Sequence, residues 1–591
     1  MMKKIILLSL LLTLMLVSAQ GRQEIPLNHD WLFLPQNIPA AMNTGFDDAG
    51  WEPVDLPHTW NALDVLDDTP GYARDTCWYR KKFTVPGPWR HKKIFLRVGA
   101  ANQDATVYLN GKKVGTHHGG YTAFVMDLTP FMVFGKENTL AIELSNAHNP
   151  DVPPVGGDLC HFGGIYREVK LILTEKVHLE MLDHASPGVF FRPVLHEESS
   201  GAGRWEVEVT GTLVNEENRP VRRQVSLTVT GPAGDPLGHK QLTVTAAGGS
   251  KKQFRATLSC NGHVRTWSPR QPSLYRATAC ITLPGDTLPT DRVVVNIGFR
   301  TLRMDPEKGI LLNGEPVFIR GVGKHQDYDS LGYAVPDALL RRDIRWIKEM
   351  GANLVRSHYP LSPGTYDEAD KLGVMAWVKL PVMDKINHTP AFYASTREMA
   401  AEMVLQHYHH PSVILWGYTC EPFGYMDWYM PDPLDPAMVE KQLENTHTFS
   451  VMMQQYIRAL DPHRFIANDF HTDPTPEFYR RSGLTTINDL NGWNIYQGWY
   501  HRSLEYIDDA LVEFRNYNPR KPFIIAEYGA GSAASINTLH PTIFDFSNQY
   551  QVRFHHHYLE AVKQFPWITG QCIWTLSDFQ VESRKDAVPH I

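Results

Sequence analysis

Glu421 closes the stretch His410-Pro411-Ser412-Val413-Ile414-Leu415-Trp416-Gly417-Tyr418-Thr419-Cys420-Glu421, and Glu527 closes Lys521-Pro522-Phe523-Ile524-Ile525-Ala526-Glu527 ahead of Tyr528-Gly529. Each apolar run reads as a buried parallel strand that breaks at a charge. In a (β/α)8 barrel the reactive groups project from the C-terminal ends of the strands, so two such carboxyls can face each other across one pocket. A facing pair, one protonated and one ionised, is the arrangement that cleavage of a glycosidic bond requires. The alternative for either residue is an ordinary ion pair with arginine, which is the usual fate of an arbitrary glutamate.

Both glutamates need a scaffold that supplies parallel strands, and the chain beyond Arg300 alternates strand-like and helix-like segments. Candidate strands are Val317–Arg320, Asn353–Arg356, Val374–Val378, Val413–Trp416, Phe465–Asn468, Trp493–Tyr496, Phe523–Ala526 and Cys572–Leu576, the eight that a TIM barrel needs. Pro336 opens a helix with Leu340, Ile344, Ile347 and Met350 on one face, and Gly351 stands at its C-cap. The chain runs only about fifteen residues past the eighth strand, so the helix that usually closes the barrel is expected to be missing, leaving a fragment or an open groove.

Ahead of the barrel the pattern has period two. Lys93-Ile94-Phe95-Leu96-Arg97-Val98 and Ala105-Thr106-Val107-Tyr108-Leu109 alternate, and Asn110-Gly111 after the second is a strong hairpin signal. Trp205-Glu206-Val207-Glu208-Val209 and Val225-Ser226-Leu227-Thr228-Val229 repeat the pattern further on. The expected architecture is therefore multidomain: a jelly-roll β-sandwich over 23–176, an immunoglobulin-like β-sandwich over 177–299, and a (β/α)8 TIM barrel over 300–591. A length of 591 residues agrees with about three or four domains.

Residues 1–19 read as a secretory signal peptide, with Lys3 and Lys4 before the apolar run Ile5 to Val17 and small residues at Val17-Ser18-Ala19. The expectation is a secreted or periplasmic protein without a membrane span. A net charge of −7 offers no electrostatic case for nucleic acid. Six cysteines (Cys77, Cys160, Cys260, Cys280, Cys420, Cys572) without a CxxC pair argue against a disulfide framework or structural zinc, and only Cys260 with Cys280 invites a check for a bridge. His407, His409 and His410, and likewise His555, His556 and His557, lack the spacing of a metal set, and His117-His118-Gly119-Gly120 reads as a turn. No metal and no cofactor are expected. The glycine patterns lack the strand-to-helix context of a nucleotide site.

Several motifs together resemble glycoside hydrolase family 2, which contains β-galactosidases, β-glucuronidases and β-mannosidases. They are Leu56-Pro57-His58-Thr59-Trp60-Asn61, Trp78-Tyr79-Arg80-Lys81-Lys82-Phe83 and Gly163-Gly164-Ile165-Tyr166-Arg167 in the first domain. In the barrel they are Gly321-Val322-Gly323-Lys324-His325-Gln326-Asp327, Arg356-Ser357-His358-Tyr359-Pro360 and the two glutamate segments. The resemblance spans nearly the whole chain after residue 19 and makes Glu421 the general acid/base and Glu527 the nucleophile. It assigns Tyr496 to a hydrogen bond with the nucleophile, Trp574 to the pocket floor and Arg356 to the Glu527 anion. His325, His358 and Trp499 fall among its substrate contacts, and Asp158 resembles the aspartate that the first domain lends to a closed, exo-acting pocket. For each lone residue, packing or a local hydrogen bond is the alternative.

Two positions depart from the family's pattern. Cys420 replaces the asparagine that precedes the acid/base and bonds the sugar 2-hydroxyl, and a thiol is a weak donor and acceptor. Lys379 stands where relatives often place glutamate, as a solvated tail or as a cation favouring an acidic sugar. The resemblance implies a retaining exo-β-glycosidase acting on the ends of oligosaccharides or polysaccharides, first of all a β-galactosidase. β-Glucuronidase is an alternative: Tyr496 to Tyr500 looks like that branch, while its asparagine and lysine for the sugar carboxylate are not recognisable after Trp574. α-L-Arabinopyranosidase and a carbohydrate-binding protein with impaired catalysis are further alternatives, and a homo-oligomer stays open.

Overall fold

Asn110 and Gly111 both take positive φ, 53° and 77°, and turn the strand Asp104–Leu109 back onto Lys112–His118. Positive φ at both central residues matches the twist of a two-residue hairpin. In the computed structural model, which describes residues 21–67, 69, 71–197, 203–431, 433–582 and 584, this hairpin edges a six-stranded antiparallel sheet. The signal peptide expected over residues 1–19 lies outside the described residues. A four-stranded sheet containing Lys93–Val98 packs against the six-stranded one, with Leu96, Val98, Val107, Leu109, Ile142 and Leu171 in the shared core. Where a turn was expected at His117-His118, the structure has the end of a strand. His117 stacks on Phe124 and reaches across to the barrel, its Nε2 lying 2.7 Å from Glu402 of a barrel helix.

The second domain is another sandwich. Gly203–Asn215 pairs with Val189–Glu197 and Ser250–Ser259, and Val221–Thr230 pairs with Pro236–Ala246 and Tyr275–Thr282. Val207, Val209, Val225, Leu227 and Val229 fill its core, one face of each alternating strand. Cys260 and Cys280 are free thiols.

The third domain is a closed eight-stranded parallel barrel: β1 (Ile319–Gly323), β2 (Leu354–Ser357), β3 (Met375–Lys379), β4 (Val413–Gly417), β5 (Phe465–His471), β6 (Leu490–Asn494), β7 (Phe523–Tyr528) and β8 (Ile568–Ile573). β1 pairs with β8 and closes the ring. Leu354, Met375, Trp377, Leu415, Ala467 and Ile524 belong to one buried cluster, a packed barrel interior rather than a pore. Several strands begin or end away from the expected runs. β6 and β8 start three and four residues upstream because their first turns carry Asn491-Gly492 and Thr569-Gly570-Gln571, which carry no apolar signal. Gly492 is small for a reason: a Cβ there would lie 2.9 Å from Ala526 Cβ and from the Trp377 ring.

The first barrel helix, α1 (Asp337–Glu349), follows Pro336 and ends before Gly351, whose φ is 84°. Leu340, Ile344 and Ile347 are buried, but Met350 is 54% exposed, beyond the packed face. Among the described residues no helix follows β8. Instead the chain folds back over the barrel mouth: Leu576 N–H and Thr575 Oγ1 donate to the Gly323 carbonyl, and Gln580 N–H donates to Asp327.

Candidate active site

β4 delivers Glu421 through a built turn. Tyr418 and Thr419 N–H both donate to Asn468 Oδ1, at 2.8 and 3.0 Å, and Glu421 N–H donates to the Asp469 carbonyl at 2.9 Å. Glu421 itself has φ 48°, an uncommon conformation for a residue with a side chain, and clustered at functional sites. Asn494 Nδ2, at the end of β6, donates to Glu421 Oε1 at 2.9 Å. Burial, then the neighbouring Glu527 and Asp384, push the Glu421 carboxyl well above the usual carboxylate range, so it holds its proton.

Glu527 lies in β7, in register with Asn494 of β6. Its Oε1 accepts from the Arg356 guanidinium at 2.7 Å, its Oε2 accepts from the Tyr496 hydroxyl at 2.8 Å, and His358 Nε2 is 3.4 Å away. His358 is neutral, because burial and then Lys379 and Arg356 hold its imidazole far below the ordinary value. Arg356 is completely buried and also bonds Asp469. Burial on its own raises the Asp469 carboxyl, but Arg356 and Lys379 outweigh it and keep Asp469 ionised. One carboxyl is thus protonated while the other is cradled by donors that favour an anion, the division of labour that double displacement at an anomeric carbon requires.

Both carboxyls open into a cavity of about 640 Å3 at the C-terminal ends of the strands. Asp158, His358, Tyr496 and Trp574 also line it. Asp158 arrives from the first sandwich and is clamped by Arg584, whose Nε donates to Oδ2 at 2.9 Å and whose other arm reaches the Tyr500 hydroxyl at 3.2 Å.

Four expectations need correction. Trp499 is 4% exposed and packs on Phe544 and Phe546, while the adjacent Tyr500, 42% exposed, lines the cavity; neighbouring residues on this turn point opposite ways. His325 stacks on Phe579 with ring centres 3.9 Å apart and stands behind the wall rather than in it. Cys420 lies beneath the cavity, its sulfur 3.9 Å from Arg356 and 3.8 Å from Asn494, and burial keeps the thiol protonated. Lys379 is neither a solvated tail nor a cavity cation: it is fully buried and bonds Asp469.

Asn494, Asp469 and Asp384 were not singled out in the sequence. Asn494 and Asp469 fall in the C-terminal parts of β6 and β5, whose ends the apolar runs misplace by two and three residues. Asp384 sits in the Met383-Asp384-Lys385 loop with φ 55°, where no periodicity marks it, and burial followed by Asp158 and Glu527 raises its carboxyl well above the usual range.

Two three-donor groupings of metal-binding type occur among the described residues, His358 with Cys420 and Glu527, and Asp367 with Asp370 and His410. Each already has its charge matched by protein cations. Arg356 bonds Glu527 in the first, and in the second His410 pairs with Asp370 at 2.6 Å while Arg341 reaches Asp367.

Models of three domains of one family match in the order the fold requires. The sugar-binding domain of glycosyl hydrolases family 2 matches residues 36–175, the family's second domain matches 186–300 and its TIM-barrel domain matches 305–589. A β-glucuronidase crystal structure from Bacteroides uniformis superposes with a TM-score of 0.91 at 34% identity, covering 96% of this chain and 67% of that one. The β-glucuronidase of Bacteroides fragilis is 28% identical over 96% of this chain and 77% of its own length. A β-galactosidase of Thermoanaerobacter pseudethanolicus is 29% identical over 67% of this chain and 51% of its own. A sugar-binding domain set on a barrel that holds a protonated and a cradled carboxyl makes the substrate a carbohydrate, and with all three domains matched the chain belongs to glycoside hydrolase family 2.

Proposed function

We propose that this glycoside hydrolase is a retaining, exo-acting β-glucuronidase, exported from the cell that makes it. The observation that carries the reaction is the Glu421 and Glu527 pair in one cavity, protonated and donor-cradled respectively. Glu527 attacks the anomeric carbon while Glu421 protonates the departing oxygen; Glu421 then acts as base on the water that releases the sugar. Asp158, held over the cavity from the first domain, supports an exo mode.

For the sugar, the β-galactoside expected first from the sequence gives way to the β-glucuronoside, because relatives named β-glucuronidases match over more of the chain, one of them at 34% identity. The charges of the wall support this reading. Asp158 is neutralised against Arg584 and Asp384 holds its proton, so the wall is less negative than its carboxyl count. A β-galactosidase remains the second reading, supported by the relatives of that name.

The test is hydrolysis of nitrophenyl β-glucuronide, β-galactoside, β-mannoside and α-L-arabinopyranoside by the wild type beside Glu527→Gln. The glucuronide is expected to turn over fastest, and the variant to lose about three orders of magnitude or more in kcat. A preference for the galactoside overturns the sugar; folded wild-type protein that binds but turns over none of the four overturns the reaction.

A further inference from the structure

Directly after Glu421 the chain forms a short helix, Gly424–Tyr429, tied to the acid itself: Gly424 N–H donates to the Glu421 carbonyl at 2.8 Å. Tyr425 N–H donates to the Asp384 carbonyl at 3.0 Å. The helix projects Trp428, 43% exposed, into the wall of the catalytic cavity.

An exposed indole on a short helix would ordinarily be loose. This one is held. Its ring lies 4.9 Å from that of His471, at the end of β5, and both nitrogens of His471 are engaged, Nε2 with Asp427 Oδ2 at 2.6 Å and Nδ1 with the Tyr479 hydroxyl at 2.7 Å. Asp427 also accepts from Thr475 Oγ1 at 2.6 Å. Gly424 completes the seat, because a Cβ there would come 2.5 Å from the indole six-membered ring. One face of Trp428 is thus packed on the protein and the rest faces the cavity, fixed in place by a buried histidine–aspartate pair that the proposed hydrolysis does not use.

Position decides what meets that face. In the hydrolysis proposed above, on which this inference rests, Glu421 must touch the oxygen of the leaving group. The residues that follow Glu421 therefore surround the leaving group rather than the sugar that becomes attached to Glu527. The same cavity presents Thr472, Asp473 and His501, groups suited to hydroxyls. Aromatic face and hydrogen-bonding edge together match a pyranose ring, which offers C–H bonds on one face and hydroxyls at its rim; a flat apolar leaving group would have no use for the polar edge.

We propose that Trp428 is the platform of a leaving-group subsite that takes a second sugar ring, so that the physiological substrate is a glycan and not a glycoside of a flat aromatic alcohol.

The experiment compares three substrates sharing the sugar that the enzyme hydrolyses: the glycosyl fluoride, whose leaving group fills no subsite, the nitrophenyl glycoside, and a disaccharide with the same terminal sugar. Each is measured with wild type, Trp428→Ala and Trp428→Phe. Trp428→Ala is expected to lose about tenfold more kcat/KM on the disaccharide than on the fluoride, with Trp428→Phe recovering most of the difference. Turnover of the fluoride also shows that the variant is folded. Equal losses on fluoride and disaccharide overturn the subsite. Because fluoride departs without help from the acid, the methyl glycoside is measured as well, and a loss on it equal to that on the disaccharide overturns the subsite and makes Trp428 a support for Glu421. An equal loss on nitrophenyl glycoside and disaccharide overturns the sugar assignment in favour of a flat aromatic group. No turnover of any fluoride by the wild type overturns the hydrolase reading and this inference with it.

Discussion

Glu421 keeps its proton because burial and two neighbouring carboxyls make its anion expensive, and that same expense is borne by the fold. A carboxyl whose folded-state pKa lies above its unfolded value favours folding while it is protonated in both states, below the unfolded value. That advantage is lost as pH rises toward the folded one. Glu421→Gln copies the protonated acid at every pH, so its melting temperature should exceed that of the wild type at neutral pH, with the gap closing near pH 4. The same substitution should remove the basic limb of the kcat/KM profile, where the wild type loses its acid as pH rises. A variant no more stable than wild type at neutral pH would mean that Glu421 ionises freely in the fold.

At the scale of elements, three strands cooperate beneath the nucleophile. Lys379 from β3 and Arg356 from β2 share Asp469 from β5, and the Arg356 nitrogen that bonds Asp469 also donates to Glu527 in β7. The other titratable groups near Glu527 are Glu421, Asp384, His325, His358, Tyr496, Cys420 and Cys572. Lys379→Met leaves Asp469 to draw on Arg356 alone, so kcat/KM should fall by about tenfold or more. Adding Asp469→Asn should recover part of that loss, whereas a purely structural role for Lys379 predicts additive damage in the double variant. None of this was visible before the fold was known. The eight barrel strands were legible because strands buried on both faces are apolar along their length, and the two catalytic carboxyls because they interrupt those runs. Lys379 was legible only as an anomaly, since sequence does not reveal that Asp469 faces it across a neighbouring strand. Trp499 was mistaken for Tyr500 because a turn, unlike a strand, gives no rule for which of two adjacent rings faces inward.

Across the whole molecule, the sandwich that carries Asp158 is docked on the barrel by buried polar contacts. Glu402 accepts from Thr122 and pairs with His117, and Arg167 donates to Gln326 and to the Pro360 carbonyl at 3.0 and 3.1 Å. Glu402→Ala should cost roughly 3 kcal/mol, seen as a lowered melting temperature, because it strands Thr122 and His117 in the interface. Activity should fall mainly through KM if the loosened sandwich withdraws Asp158 from the cavity; an unchanged KM would show that the domains hold their relation without this contact. The segment after β8 is woven into the same junction, with Cys160 Sγ of the sandwich donating to the Gln580 carbonyl at 2.6 Å. On the ribosome this has a temporal meaning. About 150 residues separate Glu421 from Trp574, or roughly 8–30 s of synthesis. Throughout that interval the growing chain already carries its acid, and later its nucleophile, without the floor and clamp supplied by Trp574, Phe579 and Arg584. The growing protein is therefore silent toward glycans until the segment after β8 has been made and packed against the sandwich that carries Asp158.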